Sequence, residues 1–252
     1  MPTSAADWAA GLGVLGVILG SFIATLVVRW PEGRSVVRGR SMCDGCGRTL
    51  RVAELVPLMS LAAQRGRCRG CGAMVPAVHW QVELLAAAVG AGAGWVAPGA
   101  QGVAGAMFGW LLLALAALDL QAWWLPDRLT GALAAGGIGT GVAGLAPALP
   151  DRLIGGALGF ALLWLVARGY RRVRGREGMG GGDPKLFGAI GLWLGWAMLP
   201  AVLLVAALAG LGVVAWLRLT GRDVRRTDAL PLGALLAVAA YPAWLVMIAY
   251  RS

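Results

Sequence analysis

Charge is absent from long stretches of this chain. Trp8–Val28 runs 21 residues without a charged side chain, Leu129–Pro150 and Ala229–Tyr250 run 22 each, and Leu84–Gln101 and Gln101–Leu118 run 18 each. A helix that crosses a bilayer needs roughly 20 apolar residues, so each stretch reads as a transmembrane helix. Leu153–Ala167 is shorter, at 15 residues, but arginines able to snorkel bound it. Leu186–Leu217 has 32 uncharged residues. As one helix it would be about 48 Å long against an apolar core of about 30 Å. It also contains Pro200, a helix breaker, and reads as two short spans. The pattern predicts an all-α, polytopic membrane helical bundle of eight transmembrane helices.

Composition agrees. Hydrophobic residues are 59% of the chain and charged residues 13%, against about 25% charged in an ordinary soluble domain; mean hydropathy is +0.74. Basic residues favour the cytoplasmic side of short loops. Nine arginines lie in Arg29–Arg69, six basic residues in Arg168–Lys185 and four in Arg218–Arg226. With eight spans and both termini periplasmic, these three loops and Arg128 all face the cytoplasm, leaving Arg152 and Arg251 as exceptions. A single crossing by 186–217 would put the second and third loops on opposite sides. The first span has Asp7 and no basic residue ahead of it, unlike a cleavable signal peptide. The net charge of +10 then reports topology, with attraction to lipid headgroups, and requires no nucleic acid.

Polar residues concentrate in one insertion. The chain divides into a first transmembrane helix at 1–28, a cytoplasmic zinc-binding domain at 29–78 and a transmembrane bundle at 79–252. Glycines and alanines inside the spans, as in 131–144, allow helices to approach closely. The twelve tryptophans, Trp30, Trp123 and Trp124 among them, mostly sit near predicted span ends, as an interfacial belt would have them.

All four cysteines lie in the insertion, as Cys43-Asp-Gly-Cys46 and Cys68-Arg-Gly-Cys71, with 21 residues between the pairs. That gap is just beyond the usual ~15–20 of a four-cysteine zinc site. Disulfides are rare in the cytoplasm, so the expectation is a tetrahedral Zn2+ with four thiolates. Such a closed site would be structural, holding an insertion too small for its own core. A redox pair stays open as the alternative, because Arg48, Arg67 and Arg69 surround the knuckles and favour thiolates.

Only twelve residues are acidic. Asp119 sits where the third span reaches the cytoplasm, Asp127 in the loop that follows, and Asp183 just before the sixth span. Topology brings all three to one membrane face, and ionisable residues at membrane depth are functional candidates. Two neighbouring carboxylates can share a proton; one then acts as general base on a water while the other polarises a carbonyl. His79 is the only histidine, which leaves a serine–histidine triad little to draw on. The glycines of "GMGGGD" (178–183) give an extended substrate backbone room to pass. Simpler roles are a helix N-cap for Asp127, interfacial snorkelling for Asp119, and one more inside-positive charge for Lys185. His79 and Glu83 read as interfacial.

Four segments in order, with the cysteines, resemble the bacterial type IV prepilin peptidases, aspartic membrane proteases of the GxGD type. They are "GVILGSFIATLVVRWP" (16–31), "HWQVELLAA" (79–87), "LDLQAWWLPDRLT" (118–130) and "GMGGGDPKLFGAIGLWLGW" (178–196). The resemblance implies Asp119 and Asp183 as the catalytic pair, with Asp127, Gly180 and Gly182 supporting the site. It implies a prepilin or pseudopilin substrate of type IV pili or type II secretion, cut after a glycine at the cytoplasmic face of the inner membrane. It also implies N-methylation of the new N-terminus from S-adenosylmethionine, with Cys43, Cys46, Cys68 and Cys71 as the metal ligands. Ala24 stands where members often carry Asn, and Glu54-Leu55 where they often carry Glu-Asn; both touch the methylation half only. The alternatives are a peptidase without methyl transfer and, from another class, a transporter whose carboxylates bind ions. Acids gathered at one face, not at mid-span, count against the transporter. A nucleic-acid-binding zinc module is disfavoured by the scarcity of aromatics in the insertion.

Overall fold

The computed structural model describes residues 4–36, 40–43, 45–51, 54–57, 64–222 and 229–251. Arg38, Asp44, Arg225 and Arg226, which belong to the loops and knuckles above, lie outside the described residues. Among those described, eight α-helices follow one another: α1 (Ala5–Arg29), α2 (Ala77–Val96), α3 (Ala100–Ala122), α4 (Asp127–Val142), α5 (Leu149–Arg174), α6 (Gly182–Leu194), α7 (Leu199–Leu219) and α8 (Leu232–Ala249). They contain no strand, only two isolated antiparallel bridges, Met42 with Thr49 and Arg67 with Met74. Five helical stretches are long and apolar enough to cross a membrane: α1, α3, α5, Trp196–Leu219 and α8. The fold is therefore all-helical and built for a bilayer, although α2, α4 and α6 fall short of that standard.

Helix ends follow local chemistry. Ser4 and Asp7 form a reciprocal capping box at the start of α1. Arg171, Arg172 and Arg174 occupy the last turn of α5, which ends at Gly175 with φ +66°, a left-handed position suited to glycine. The apolar run 186–217 does break, but not at the proline. Gly195, at φ +74° and ψ 173°, ends α6; a 3-10 turn covers Trp196–Met198; and Pro200 sits in the first turn of α7, where its missing N–H costs nothing. The uncharged stretch 129–150 is not one helix either, since α4 stops at Val142 and α5 starts at Leu149.

The chain forms two compact units divided inside α3, at Trp110 and Leu111. In the first, α1 packs along α2 through glycines. A Cβ at Gly16 would run into the Ala86 carbonyl, one at Gly20 would lie 2.6 Å from Glu83 Cα, and one at Gly94 2.5 Å from the Trp8 carbonyl oxygen. Backbones this close pack without intervening side chains, a membrane-helix device. Trp110 of α3 donates its indole N–H to the Ala86 carbonyl at 2.8 Å.

In the second unit α6 is the central helix, with Leu186, Phe187 and Ile190 fully buried and Trp193 1% exposed. It crosses α5 at Gly155 and Gly191, again backbone to backbone. Trp193 and Trp244, like Trp110 of the first unit, are buried exceptions to the interfacial belt; Trp193 gives its indole N–H to the Leu133 carbonyl at 2.7 Å, so burial leaves no orphan donor. Arg152 does not snorkel but is 1% exposed. Its guanidinium donates to the carbonyls of Pro147, Gly137, Leu192, Leu145 and Ala146 at 2.7–3.2 Å and to Thr140 Oγ1 at 3.2 Å.

Candidate active site

The last turn of α3 carries Asp119 and the first turn of α6 carries Asp183, each only 6% exposed. Both line one cavity of about 720 Å³ in the second unit, together with Trp123–Leu125, Tyr170, 176–182 and 229–232. The two carboxylates are close enough to interact electrostatically. Asp119 is gripped by a third helix: its Oδ2 accepts the Ala234 N–H at 2.8 Å, and the Gly233 N–H also bonds to the carboxylate. These amides belong to the first turn of α8, where backbone N–H groups lack helical partners and favour negative charge.

The loop before α6 shapes the other side. A Cβ at Gly178 would meet the Tyr170 ring, one at Gly180 would lie 3.2 Å from Asp183 Oδ2, and one at Gly182 2.8 Å from Leu125 Cβ. Gly180 and Gly182 thus lie against Asp183 and the cavity wall. α3 ends just before Trp123, whose φ of +52° is uncommon for a side chain of that size; beyond this turn Leu125 lies against Gly182 and Gly233. His79 does not line this cavity. Two buried carboxylates on one cavity suit a division of acid–base roles.

Asp127 is placed differently from its two companions. It is not among the residues lining the cavity, and it makes no capping hydrogen bond at the start of α4. Its Oδ1 accepts from Lys185 Nζ at 2.7 Å, with side chains 73% and 50% exposed. Lys185, two residues past Asp183, is thereby an ion-pair partner. The Asp119 grip by Gly233 and Ala234 was not anticipated from sequence. Its only local trace is Pro231 before an apolar run, a helix-start signal.

In the first unit the two knuckles repeat one geometry. The Cys43 N–H donates to the Arg48 carbonyl and the Gly47 N–H to the Cys43 carbonyl; Cys68 with Ala73, and Gly72 with Cys68, do the same. The four sulfurs lie within 4.8 Å of one another, with Cys43 Sγ and Cys71 Sγ 3.8 Å apart. Tetrahedral zinc at ~2.3 Å from each sulfur requires edges of about 3.8 Å, so the donor set fits that ion. None of the four is in a disulfide. The backbone N–H groups of Cys71 and Gly70 pull the Cys68 thiol down to about 6, toward the thiolate a metal needs. Arg48 grips Glu54 with two bonds of 3.2 and 2.7 Å. That pair, with the Arg51 N–H, holds the Glu54 carboxyl at about 2.

These features define a class: a helical membrane protein with two buried aspartates on one cavity and a separate four-thiol cluster. Residues 106–215 match the model of the type IV leader peptidase family, and residues 14–97 that of the bacterial peptidase A24 N-terminal domain. A prepilin leader peptidase/N-methyltransferase of Burkholderia pseudomallei is 38% identical over 253 residues, spanning 89% of this chain and 81% of its own. One from Aeromonas hydrophila is 40% identical over 207 residues, spanning 82% and 71%. One from Pseudomonas aeruginosa is 34% identical over 259 residues, spanning 92% and 88%. No solved structure matches the chain. The chain belongs to the type IV leader peptidase family, as its motifs suggested.

Proposed function

We propose that this protein is an aspartic endopeptidase that removes the leader of type IV prepilins or pseudopilins at the cytoplasmic face of the inner membrane, and then methylates the new N-terminus from S-adenosylmethionine. The observation that carries the reading is the placement of Asp119 and Asp183, buried together on one cavity within the segment that matches the peptidase model. The names of the relatives support the substrate class and the second activity.

The chemistry follows from the pair. One carboxylate takes a proton from a water held between them, and the other, protonated, donates to the scissile carbonyl. The tetrahedral intermediate collapses as the leaving amine gains a proton. No acyl-enzyme forms, so no nucleophilic side chain is needed. The α8 amides on Asp119 fix its rotamer and steady its anionic form. Asp127 supports the site from outside, tying the start of α4 to the start of α6 through Lys185.

Eight crossings, with both termini periplasmic, place the Asp119 end of α3, the Asp183 end of α6 and the α8 N-terminus on the cytoplasmic side. The working division is 1–28, 29–78 and 79–252. Cys43, Cys46, Cys68 and Cys71 would hold a structural Zn2+, which ties two knuckles together and leaves no open position for catalysis. Lipids surround the bundle, and nucleic acid has no part.

Co-expression with a prepilin tests the reading. Asp119→Asn and Asp183→Asn should each lose leader cleavage by roughly a thousandfold or more, with bound zinc unchanged. Parent-like processing by either variant rejects the pair. The N-terminal mass of the processed product reports methylation.

A further inference from the structure

One apolar side chain at the aspartate cavity reaches the supports of both acids. Leu125 lines that cavity together with Asp119 and Asp183. Trp123 and Trp124 before it are 59% and 38% exposed, whereas Leu125 is partly buried and Pro126 after it fully so. The proline favours an extended backbone at Leu125 and caps the start of α4. One residue further on, Asp127 ties α4 to α6 through Lys185. The short segment between α3 and α4 is thus braced on both sides of the leucine.

The side chain is seated between two glycines. A Cβ at Gly182 would lie 2.8 Å from Leu125 Cβ and 3.2 Å from its Cδ1, and a Cβ at Gly233 would lie 2.8 Å from Cδ1 and 3.1 Å from Cδ2. Gly182 directly precedes Asp183 at the start of α6. Gly233 belongs to the first turn of α8, and its N–H bonds to the Asp119 carboxylate. The leucine therefore meets bare backbone on both sides, and each backbone leads straight to one acid. A branched apolar chain can space two backbones without offering a polar atom that competes for the carboxylates' partners. Helices α6 and α8 also pack on each other directly, so their starts are free to shift only as far as this contact allows.

We propose that Leu125 is a positioning residue: wedged between Gly182 and Gly233, it sets how far the start of α6 stands from the start of α8, and so the gap between Asp183 and Asp119. The assignment rests on the peptidase reading above. Hydrolysis by a pair of acids is sensitive to that gap, because misplacing reacting groups by about 1 Å can cost on the order of a hundredfold in rate. Shortening the wedge leaves a void that the two helix starts can only partly close. Adding a Cβ to either glycine pushes its backbone off the wedge. Both errors act through the acids, so they cost turnover and leave substrate affinity unchanged.

Steady-state leader cleavage of a purified prepilin by the full-length protein in lipid nanodiscs tests this. Leu125→Ala should lower kcat by about tenfold or more, with KM within about twofold of the parent and a parent-like melting temperature. Leu125→Met, which conserves volume, should stay within about threefold of the parent kcat. The double variant Leu125→Ala/Gly233→Ala removes the collision between the new Cβ and Leu125 Cδ1, and its added methyl fills part of the void. It should cleave about threefold faster, or more, than Gly233→Ala alone; the 3.0 Å approach of that Cβ to Asp119 Oδ2 keeps the recovery partial. A raised KM with parent-like kcat in Leu125→Ala overturns the assignment, since the side chain would then be touching substrate. A double variant whose loss equals the product of the two single losses overturns it as well. If Leu125→Ala does not fold, Leu125→Val, shorter by one carbon, carries the test alone: kcat should fall about threefold or more, and a parent-like value overturns the wedge. Asp119→Asn and Asp183→Asn run beside these variants. Cleavage retained by either removes the acid pair and this assignment with it, whereas two inactive aspartate variants beside a parent-like Leu125→Ala overturn the wedge alone.

Discussion

Arg152 illustrates how a single side chain can organise a region that its sequence neighbourhood does not announce. In the sequence it is an arginine at the edge of an apolar run, and an arginine there is expected to reach for water. In the structure the turn at 143–148 folds around it, and its donors satisfy five carbonyls and one hydroxyl. The Leu192 carbonyl among them lies near the end of α6, so Arg152 ties that helix to the turn. Arg152→Met should lower stability by roughly 3 kcal/mol, because several buried carbonyls lose their partner at once; thermal unfolding in detergent measures it. Arg152→Lys should recover little, since an ammonium has three donors where the guanidinium has five. The Asp127–Lys185 pair is the opposite case. Both partners are at least half exposed, and exposed pairs contribute about 0–1 kcal/mol. Asp127→Asn should therefore slow leader cleavage by no more than about fivefold, read as initial rates beside Asp119→Asn.

At the scale of elements, the helix that holds Asp119 is 115 residues away from it. The first turn of α8 presents two backbone N–H groups to the carboxylate, and Gly233 lets it come that close. A Cβ at Gly233 would lie 3.0 Å from Asp119 Oδ2 and 2.8 Å from Leu125 Cδ1. Gly233→Ala should shift Asp119 and cut cleavage at least tenfold, with a much smaller effect on the melting temperature; a loss of folding in step with activity would contradict the positioning role. No sequence pattern encodes this contact, because backbone amides carry no side-chain signature. Asp119 and Asp183 stood out for the opposite reason: a charge in an apolar chain is conspicuous. Hydrophobic runs located the helices for the same reason, and misjudged 129–150 because glycine and proline turns can be as uncharged as a helix. The cysteine knuckles were legible from spacing alone. With only two isolated bridges between described residues there, a metal supplies what a core cannot. Chelation should expose 40–75 to protease while helical circular dichroism changes little.

For the whole molecule, the open step is from eight helices to eight crossings. At 1.5 Å per residue, α4 with 16 residues and α6 with 13 are about 24 and 20 Å long, short of the roughly 30 Å apolar core. Length alone would assign neither to the membrane. Yet the α6 residues from Leu186 to Ile190 are buried in protein, so this helix need not match lipid thickness, and the 3-10 turn at Trp196–Met198 extends the apolar path. Charge placement favours the proposed eight crossings. Arg171, Arg172 and Arg174 close α5 and Arg218 closes α7, and both basic ends favour the cytoplasm only if α6 and α7 together cross twice. Topology reporters fused after Gly175 and after Gly221 should both report the cytoplasm, and fusions after Gly99 and Gly144 the periplasm. Opposite signals at Gly175 and Gly221 would mean that α6 and α7 cross only once between them. The start of α8 would then face away from the end of α3, and the Ala234 amide could not reach Asp119 as it does here.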